Sequence, residues 1–279
     1  MLSYRHAFHA GNYADVLKHL VQVEILRYLQ QKDKPLVYID THAGAGLYAL
    51  DSAAAEKTAE YRDGIGRLQG CDWPALQPYL NVVAQLSERD GQSNLYPGSP
   101  AIAQALLRPQ DRAQLYELHP SDYALLSELM QRDRRIRVQQ SDGFQGLIAS
   151  LPPAERRGLV LIDPPYEIKS DYDTVVSTLV KAHKRFATGI YALWYPVVER
   201  TRIDKLEQAL RNSGIPRIQL FELGLMADTD GRGMTSAGMI VINPPWTLKT
   251  TLDELLPALA KQLGQGQGVW RSVELAGEA

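Results

Sequence analysis

The strongest constraint on the fold is one stretch, the apolar run of residues 159–162 that ends in Asp163, Pro164, Pro165 and Tyr166. A short continuous apolar run reads as a strand buried on both faces, the pattern of a parallel sheet. Two prolines then stop it, because proline fixes φ and has no N–H for a ladder. Asp163 therefore belongs at the carboxyl end of a central strand, with a rigid turn behind it. In open α/β sheets that edge is where ligands bind.

Six further segments read as strands: 36–40, 114–118, 135–139, 189–195, 217–223 and 238–243. Helical spacing of apolar residues occupies 13–31, with Asn12 as N-cap, and recurs over 101–107, 122–130, 171–186, 200–212 and 251–263. Strand–helix alternation points to an α/β fold with a seven-stranded, doubly wound, mostly parallel sheet. The last two strands are joined by 224–236, which carries no helical pattern, so they are candidates for antiparallel neighbours. Residues 47–95 break the alternation with helical patches interrupted by glycine and proline. They read as a small inserted helical subdomain, leaving 1–46 and 96–279 as the main domain.

Composition excludes several classes. At 45% apolar and 22% charged residues the chain is ordinary globular protein, not disordered. A net charge of −2 neither supports nor excludes nucleic acid, so any basic face must be local. Arginine and lysine cluster at 132–135, 155–157, 181–185 and 200–202, and the arm and the loop around Arg232 are candidates for a basic surface near the active rim. Cys71 is the only cysteine, which rules out an intramolecular disulfide or a cysteine metal cluster and fits the cytoplasm. No apolar run approaches the roughly 20 residues of a membrane span, and the first residues lack the apolar core of a signal peptide.

The strand ends carry the chemistry. Asp40, Glu117, Asp142 and Asp163 each close, or just follow, a strand, and a doubly wound sheet aims all four at one rim. Gly44 and Gly46 follow Asp40 in a Gly-x-Gly turn, where backbone can approach a ligand closely, although position 49 is alanine and the third glycine of a dinucleotide fingerprint is missing. Glu117 suits ribose hydroxyls, because a carboxylate accepts two O–H bonds at once. It lies about seventy residues past the glycine turn instead of the usual ~20, an excess that the insertion explains. Asp142 and Gly143 suit a base edge. His42 sits well for a cofactor. The arm with Tyr4, Arg5, His6, Phe8 and His9 either packs on the fold or contacts a cofactor or polyanion. No histidine pair has a third ligand at metal spacing, so no metal is expected.

These motifs, in this order, resemble class I S-adenosylmethionine-dependent methyltransferases, and Asp-Pro-Pro-Tyr resembles the variant that methylates an exocyclic adenine amine. The segments at 3–12, 15–19, 40–46, 96–100, 117–120, 189–196 and 238–246 are similar to the RlmJ family across nearly the whole chain. The resemblance implies a Rossmann-like domain with a helical insertion, monomeric, methylating adenine N6 in 23S ribosomal RNA, either naked or as an early precursor. It implies S-adenosyl-L-methionine held by His19, His42, Ser99, Glu117, Asp142, Gly143 and Asp163, with Tyr4 meeting the RNA.

The residues suit that reaction. An adenine amino nitrogen is a poor nucleophile because its lone pair is delocalised into the ring. Two acceptors on its N–H bonds favour the localised form: the Asp163 carboxylate and the Pro164 carbonyl. Tyr166 offers a stacking face for the base. A second turn, Asn243-Pro244-Pro245-Trp246, has the same form; it follows the seventh strand, not the fourth, and reads as a strand end. Competing readings are a DNA adenine-N6 or protein-glutamine methyltransferase, and a nucleotide- or RNA-binding module without turnover.

Overall fold

The computed structural model describes residues 5–89, 91–168, 170–229 and 233–278. Helix α1 (Tyr13–Gln30) begins where the Asn12 side chain accepts the Asp15 N–H. Strand β1 (Val37–Asp40) leads into the glycine turn. A short strand β2 (Leu47–Ala49), helices α2 (Ala53–Thr58) and α3 (Gln77–Leu86) and strand β3 (Leu95–Pro97) follow. Alternation then resumes with α4 (Ser99–Leu106), β4 (Arg112–Tyr116), α5 (Pro120–Met130), β5 (Ile136–Gln139), α6 (Gly143–Ser150), β6 (Gly158–Ile162), α7 (Asp171–Arg185), β7 (Ile190–Val197), α8 (Arg200–Arg211) and β8 (Ile218–Gly224). Strand β9 (Ser236–Ile242), helix α9 (Leu248–Leu263) and strand β10 (Val269–Ala276) complete it.

The main sheet has eight strands in the order β10-β8-β9-β7-β6-β1-β4-β5. Strands β5, β4, β1, β6 and β7 are parallel neighbours. Strand β9 inserts between β7 and β8 and runs antiparallel to both, as the helix-free connection before it suggested. The eighth strand, β10, pairs antiparallel with β8 and corrects the expected count of seven. It was missed because it is a half-buried edge strand whose Arg271, Ser272 and Glu274 dilute the apolar signal.

Alternate side chains of the central strands serve two cores. Tyr38, Leu159 and Leu161 pack with α1, α4 and α9, whereas Val37, Ile39, Val160 and Ile162 pack with α6, α7 and α8. The period of two, buried on both faces, is what produced the continuous apolar run. Helix α1 is buried nearly all round, yet Asp15, Lys18, His19 and Gln22 are among its buried residues. Their i, i+3, i+4, i+7 spacing makes one polar stripe on an otherwise apolar helix.

Strands β2 and β3 pair antiparallel and bring the two ends of the 47–95 segment together beside the glycine turn. The sequence showed no strand here, since three residues are too few for an alternation to register. No helix among the described residues is long and apolar enough to cross a membrane.

Candidate active site

Because β1, β4, β5 and β6 are parallel, their carboxyl ends share one rim. Gly44 (φ 63°) and Gly46 (φ 82°) turn the chain back under it in conformations that favour glycine. The Gly44 N–H donates to Glu117 Oε2 at 2.8 Å and the His119 N–H to Oε1 at 2.7 Å, so the carboxylate is held by backbone. Burial pushes the Glu117 pKa up, against those two donors. Asp142 caps α6 by accepting the Gln145 N–H at 2.8 Å. A Cβ on Gly143 would lie 1.8 Å from the Thr41 carbonyl oxygen, so only glycine lets α6 approach the end of β1.

Around this rim lies a cavity of about 390 Å³ whose walls include His19, His42, Ser99, Glu117, Asp142, Gly143, Asp163 and Pro164. Tyr166 lines an adjoining cavity of about 360 Å³ with Tyr172, Trp194 and Arg202. The two cavities share His6, Lys18, Asp163, Pro165 and Glu167. Asp163 therefore stands in the wall between two spaces, each of a size to hold a small ligand. Tyr4 and Arg232 lie outside the described residues.

Asp40 does not face the cavity. It is fully buried behind it, where it accepts Tyr38 O–H at 2.6 Å, Ser99 O–H at 2.7 Å and the His42 N–H at 3.3 Å. Burial raises its pKa to about 6, with the two hydroxyls acting the other way. So three of the four acidic strand ends line the ligand space, and the fourth positions Ser99 and His42 from below. Both histidines are neutral: burial pushes His19 down to about 3 and His42 to about 4. His19 Nδ1 meets the Tyr96 hydroxyl at 2.8 Å, while its buried Nε2 has no hydrogen-bond partner. His42 lies edge-on to Phe144, 5.0 Å between ring centres.

Lys18 is the residue that sequence reasoning passed over. Its buried ammonium donates to Asp163 Oδ2 at 2.6 Å and lies 2.9 Å from Asp15 Oδ1. Burial alone would lower its pKa, but the two carboxylates hold it well above the ordinary lysine value. A charged pair at i, i+3 on a helix otherwise built for burial was the available signal.

Tyr166 takes a left-handed backbone (φ 51°), which swings its ring into the second cavity, and its O–H donates to the Trp194 carbonyl at 2.8 Å. Tyr172 lies 4.5 Å from it, centroid to centroid. Among the described residues no group of three His, Cys, Asp or Glu side chains is placed to hold a metal ion.

The second Pro-Pro turn is elsewhere. Since β9 runs antiparallel, Asn243 emerges at the opposite edge of the sheet. Its amide donates to the carbonyls of Ala187 and Gly189 at 2.8 and 2.7 Å and accepts Arg217 at 2.7 Å. Strand order separated it in the sequence reading; strand direction is the stronger reason.

Comparison with known proteins agrees with this architecture. The family model described as Ribosomal RNA large subunit methyltransferase D, RlmJ, matches residues 33–275. The chain is 58% identical over 265 residues to Ribosomal RNA large subunit methyltransferase J of Escherichia coli (strain K12), covering 94% of each. It is 52% identical over 273 residues to the protein of the same name from Haemophilus influenzae, covering 97% of each. A crystal structure of a Legionella pneumophila protein superposes with a TM-score of 0.87 at 36% identity, covering 95% of this chain and 98% of that one. A probable spermidine synthase from Corynebacterium glutamicum shares the fold alone, with a TM-score of 0.51 at 11% identity over 94% of this chain and 75% of that one.

Proposed function

The chain belongs to the RlmJ family of ribosomal RNA large subunit methyltransferases, and from that premise we propose that it methylates the exocyclic N6 amine of one adenine in 23S ribosomal RNA, with S-adenosyl-L-methionine as methyl donor. The observation that carries this reading is the place of Asp163 between two adjoining cavities. A transfer reaction needs two ligands meeting at one polar group.

The larger cavity fits the methyl donor. Glu117 offers carboxylate oxygens to ribose hydroxyls, Asp142 and Gly143 face the place of a base edge, and the unpartnered His19 Nε2 and nearby Ser99 supply polar atoms at the wall. Bound there, S-adenosyl-L-methionine supplies an electrophilic methyl group. The second cavity fits a planar base extruded from its strand, with Tyr166, Tyr172 and Trp194 as aromatic walls. The Tyr166 ring is fixed by its bond to the Trp194 carbonyl, so stacking requires little ordering.

Lys18 holds Asp163 Oδ2, which leaves Oδ1 to accept one N–H of the adenine amine. The Pro164 carbonyl, on the same rigid turn, accepts the other. Together they localise the nitrogen lone pair and aim it across the wall. These acceptors strengthen as positive charge develops on nitrogen, which is stabilisation directed at the transition state. Asp163 takes the proton that the nitrogen sheds as its new bond forms.

The same reading gives the remaining parts their work. Residues 47–95 form a subdomain inserted into the main domain of 1–46 and 96–279, a division supported by the β2–β3 pairing at its neck. The N-terminal arm, whose His6 and His9 line the second cavity, meets the RNA, and Tyr4 is a further RNA contact. The protein works as a monomer in the cytoplasm on naked 23S RNA or an early precursor. DNA and protein glutamine are the competing substrates, and the names of the two relatives do not favour them. Incubation of the protein with radiolabelled methyl donor and 23S RNA fragments, duplex DNA or protein tests the reading: label is expected in RNA as N6-methyladenosine, and label in DNA or protein alone overturns it.

A further inference from the structure

Asp15 lies deep in the wall of the second cavity, and it organises the groups that reach Asp163. It is 1% exposed, and its two oxygens are divided between different partners. Oδ1 lies 2.9 Å from Lys18 Nζ, and Oδ2 meets His6 Nε2 at 2.8 Å and the Gly11 N–H at 2.9 Å. The Asn12 cap fixes its backbone. Lys18 is thus suspended between two carboxylates, Asp15 and Asp163.

We propose that Asp15 is a positioning residue for methyl transfer: its charge holds the Lys18 ammonium so that only part of that cation's field falls on Asp163, and so keeps Asp163 a good acceptor for the amine proton. The proposal deepens the methyltransferase reading and rests on it.

A buried ammonium interacts strongly with any carboxylate in reach, because the local dielectric is low. With Asp163 as sole partner it would pin that carboxylate as a closed ion pair, weakening it as an acceptor. With Asp15 present, one cation serves two anions. The other titratable groups in reach of Asp15 include His6, His19, whose Nε2 lies 3.9 Å from Oδ1, and, from neighbouring elements, His9, Glu60 and Tyr48. Burial alone would raise the Asp15 pKa, but His6, by charge and hydrogen bond, and the Lys18 ammonium hold it well below the ordinary carboxylate range, so the charge is present throughout the neutral range. Asp15 also ties His6 and the Gly11 turn to α1, which sets the wall common to both cavities.

The test is D15N beside D15E in the full-length protein. Single-turnover methylation of 23S RNA is followed against pH, together with binding of S-adenosylhomocysteine and the ¹³Cε shift of Lys18 in the ligand-free protein, assigned with K18R. For D15N the expected results are a rate loss of about tenfold or more, binding of S-adenosylhomocysteine within about threefold of wild type, and a Lys18 titration moved to lower pH. D15E is expected to restore the Lys18 titration and part of the rate. A D15N protein with wild-type rate or wild-type Lys18 titration overturns the proposal, as does a folded D15E no faster than D15N. Should D15N fail to fold, D15E decides alone: a Lys18 titration unlike that of wild type overturns the assigned role. Failure of the wild-type protein to methylate RNA is a failure of the methyltransferase reading instead, and the Lys18 titration still reports whether Asp15 holds that charge.

Discussion

Asp163-Pro164-Pro165-Tyr166 and Asn243-Pro244-Pro245-Trp246 are nearly the same four residues after nearly the same kind of strand, and they have opposite surroundings. Both turns contain a residue with left-handed backbone, Tyr166 at φ 51° and Asn243 at φ 54°. At the first, the acid faces two cavities and is held by one buried lysine, while the aromatic ring is tucked inward. At the second, the amide is saturated by two carbonyls and an arginine, while Trp246 is 79% exposed. The difference comes from strand direction. A parallel strand delivers its end to the ligand edge, and an antiparallel one delivers the same residues to the far side. A Pro-Pro-aromatic turn thus acquires its chemistry from the edge at which the sheet deposits it.

The comparison breaks most visibly at its first residues. Asp163→Ala is expected to lower the methylation rate by a factor on the order of 10³, since both the amine acceptor and the partner of Lys18 are lost. Stopped-time assays with 23S RNA measure this, and a loss below tenfold removes Asp163 from the site.

The aromatic pair gives the next largest contrast. Tyr166→Ala is expected to weaken RNA methylation by about 5- to 150-fold, the worth of about 1–3 kcal/mol of base stacking. Trp246→Ala is expected to stay within about twofold of wild type in the same assay. Equal losses in both variants would mean that the far edge also meets RNA.

On stability the order reverses. Asn243→Ala removes the partner of the buried Gly189 carbonyl, of the part-buried Ala187 carbonyl and of Arg217, and is expected to lower unfolding stability by about 1–3 kcal/mol in a denaturant titration while leaving kcat near wild type. A variant as stable as wild type would show that these contacts are replaceable by water.

The ligand edge also answers pH. His19 and His42, at the ligand edge, have pKa values pushed down by burial to about 3 and about 4. In the unfolded chain they bind protons near pH 6.5. Their contribution to stability is therefore fully present above about pH 6.5 and is lost as pH falls, down to about 4 for His42 and about 3 for His19. His19→Gln is expected to shallow that acid loss in thermal melts by the smallest margin of these effects; an unchanged slope would mean the imidazole is charged in the fold.

The sequence made the ligand edge legible for a physical reason. Buried parallel strands are continuous apolar runs, and the acids and glycines that interrupt them stand out. Glu117, Asp142, Gly143 and Asp163 were all visible in this way, and the missing edge strand β10 was invisible because all but one of its residues meet water. Lys18 and Asp15 escaped because their partners lie far off in the chain: Asp163 is 145 residues from Lys18. Only their setting in a helix buried nearly all round gave them away. Asp40 was legible as a strand-end acid but not as a buried support, since burial behind a cavity depends on the packing of α4 and its Ser99 hydroxyl.

The most direct test is nucleoside mass spectrometry of 23S RNA after reaction with wild-type protein, D163A and N243A. One N6-methyladenosine per RNA is expected with wild type and with N243A, and none with D163A. N6-methyladenosine formed by D163A but not by N243A would place the chemistry at the opposite edge and contradict the assignment to Asp163.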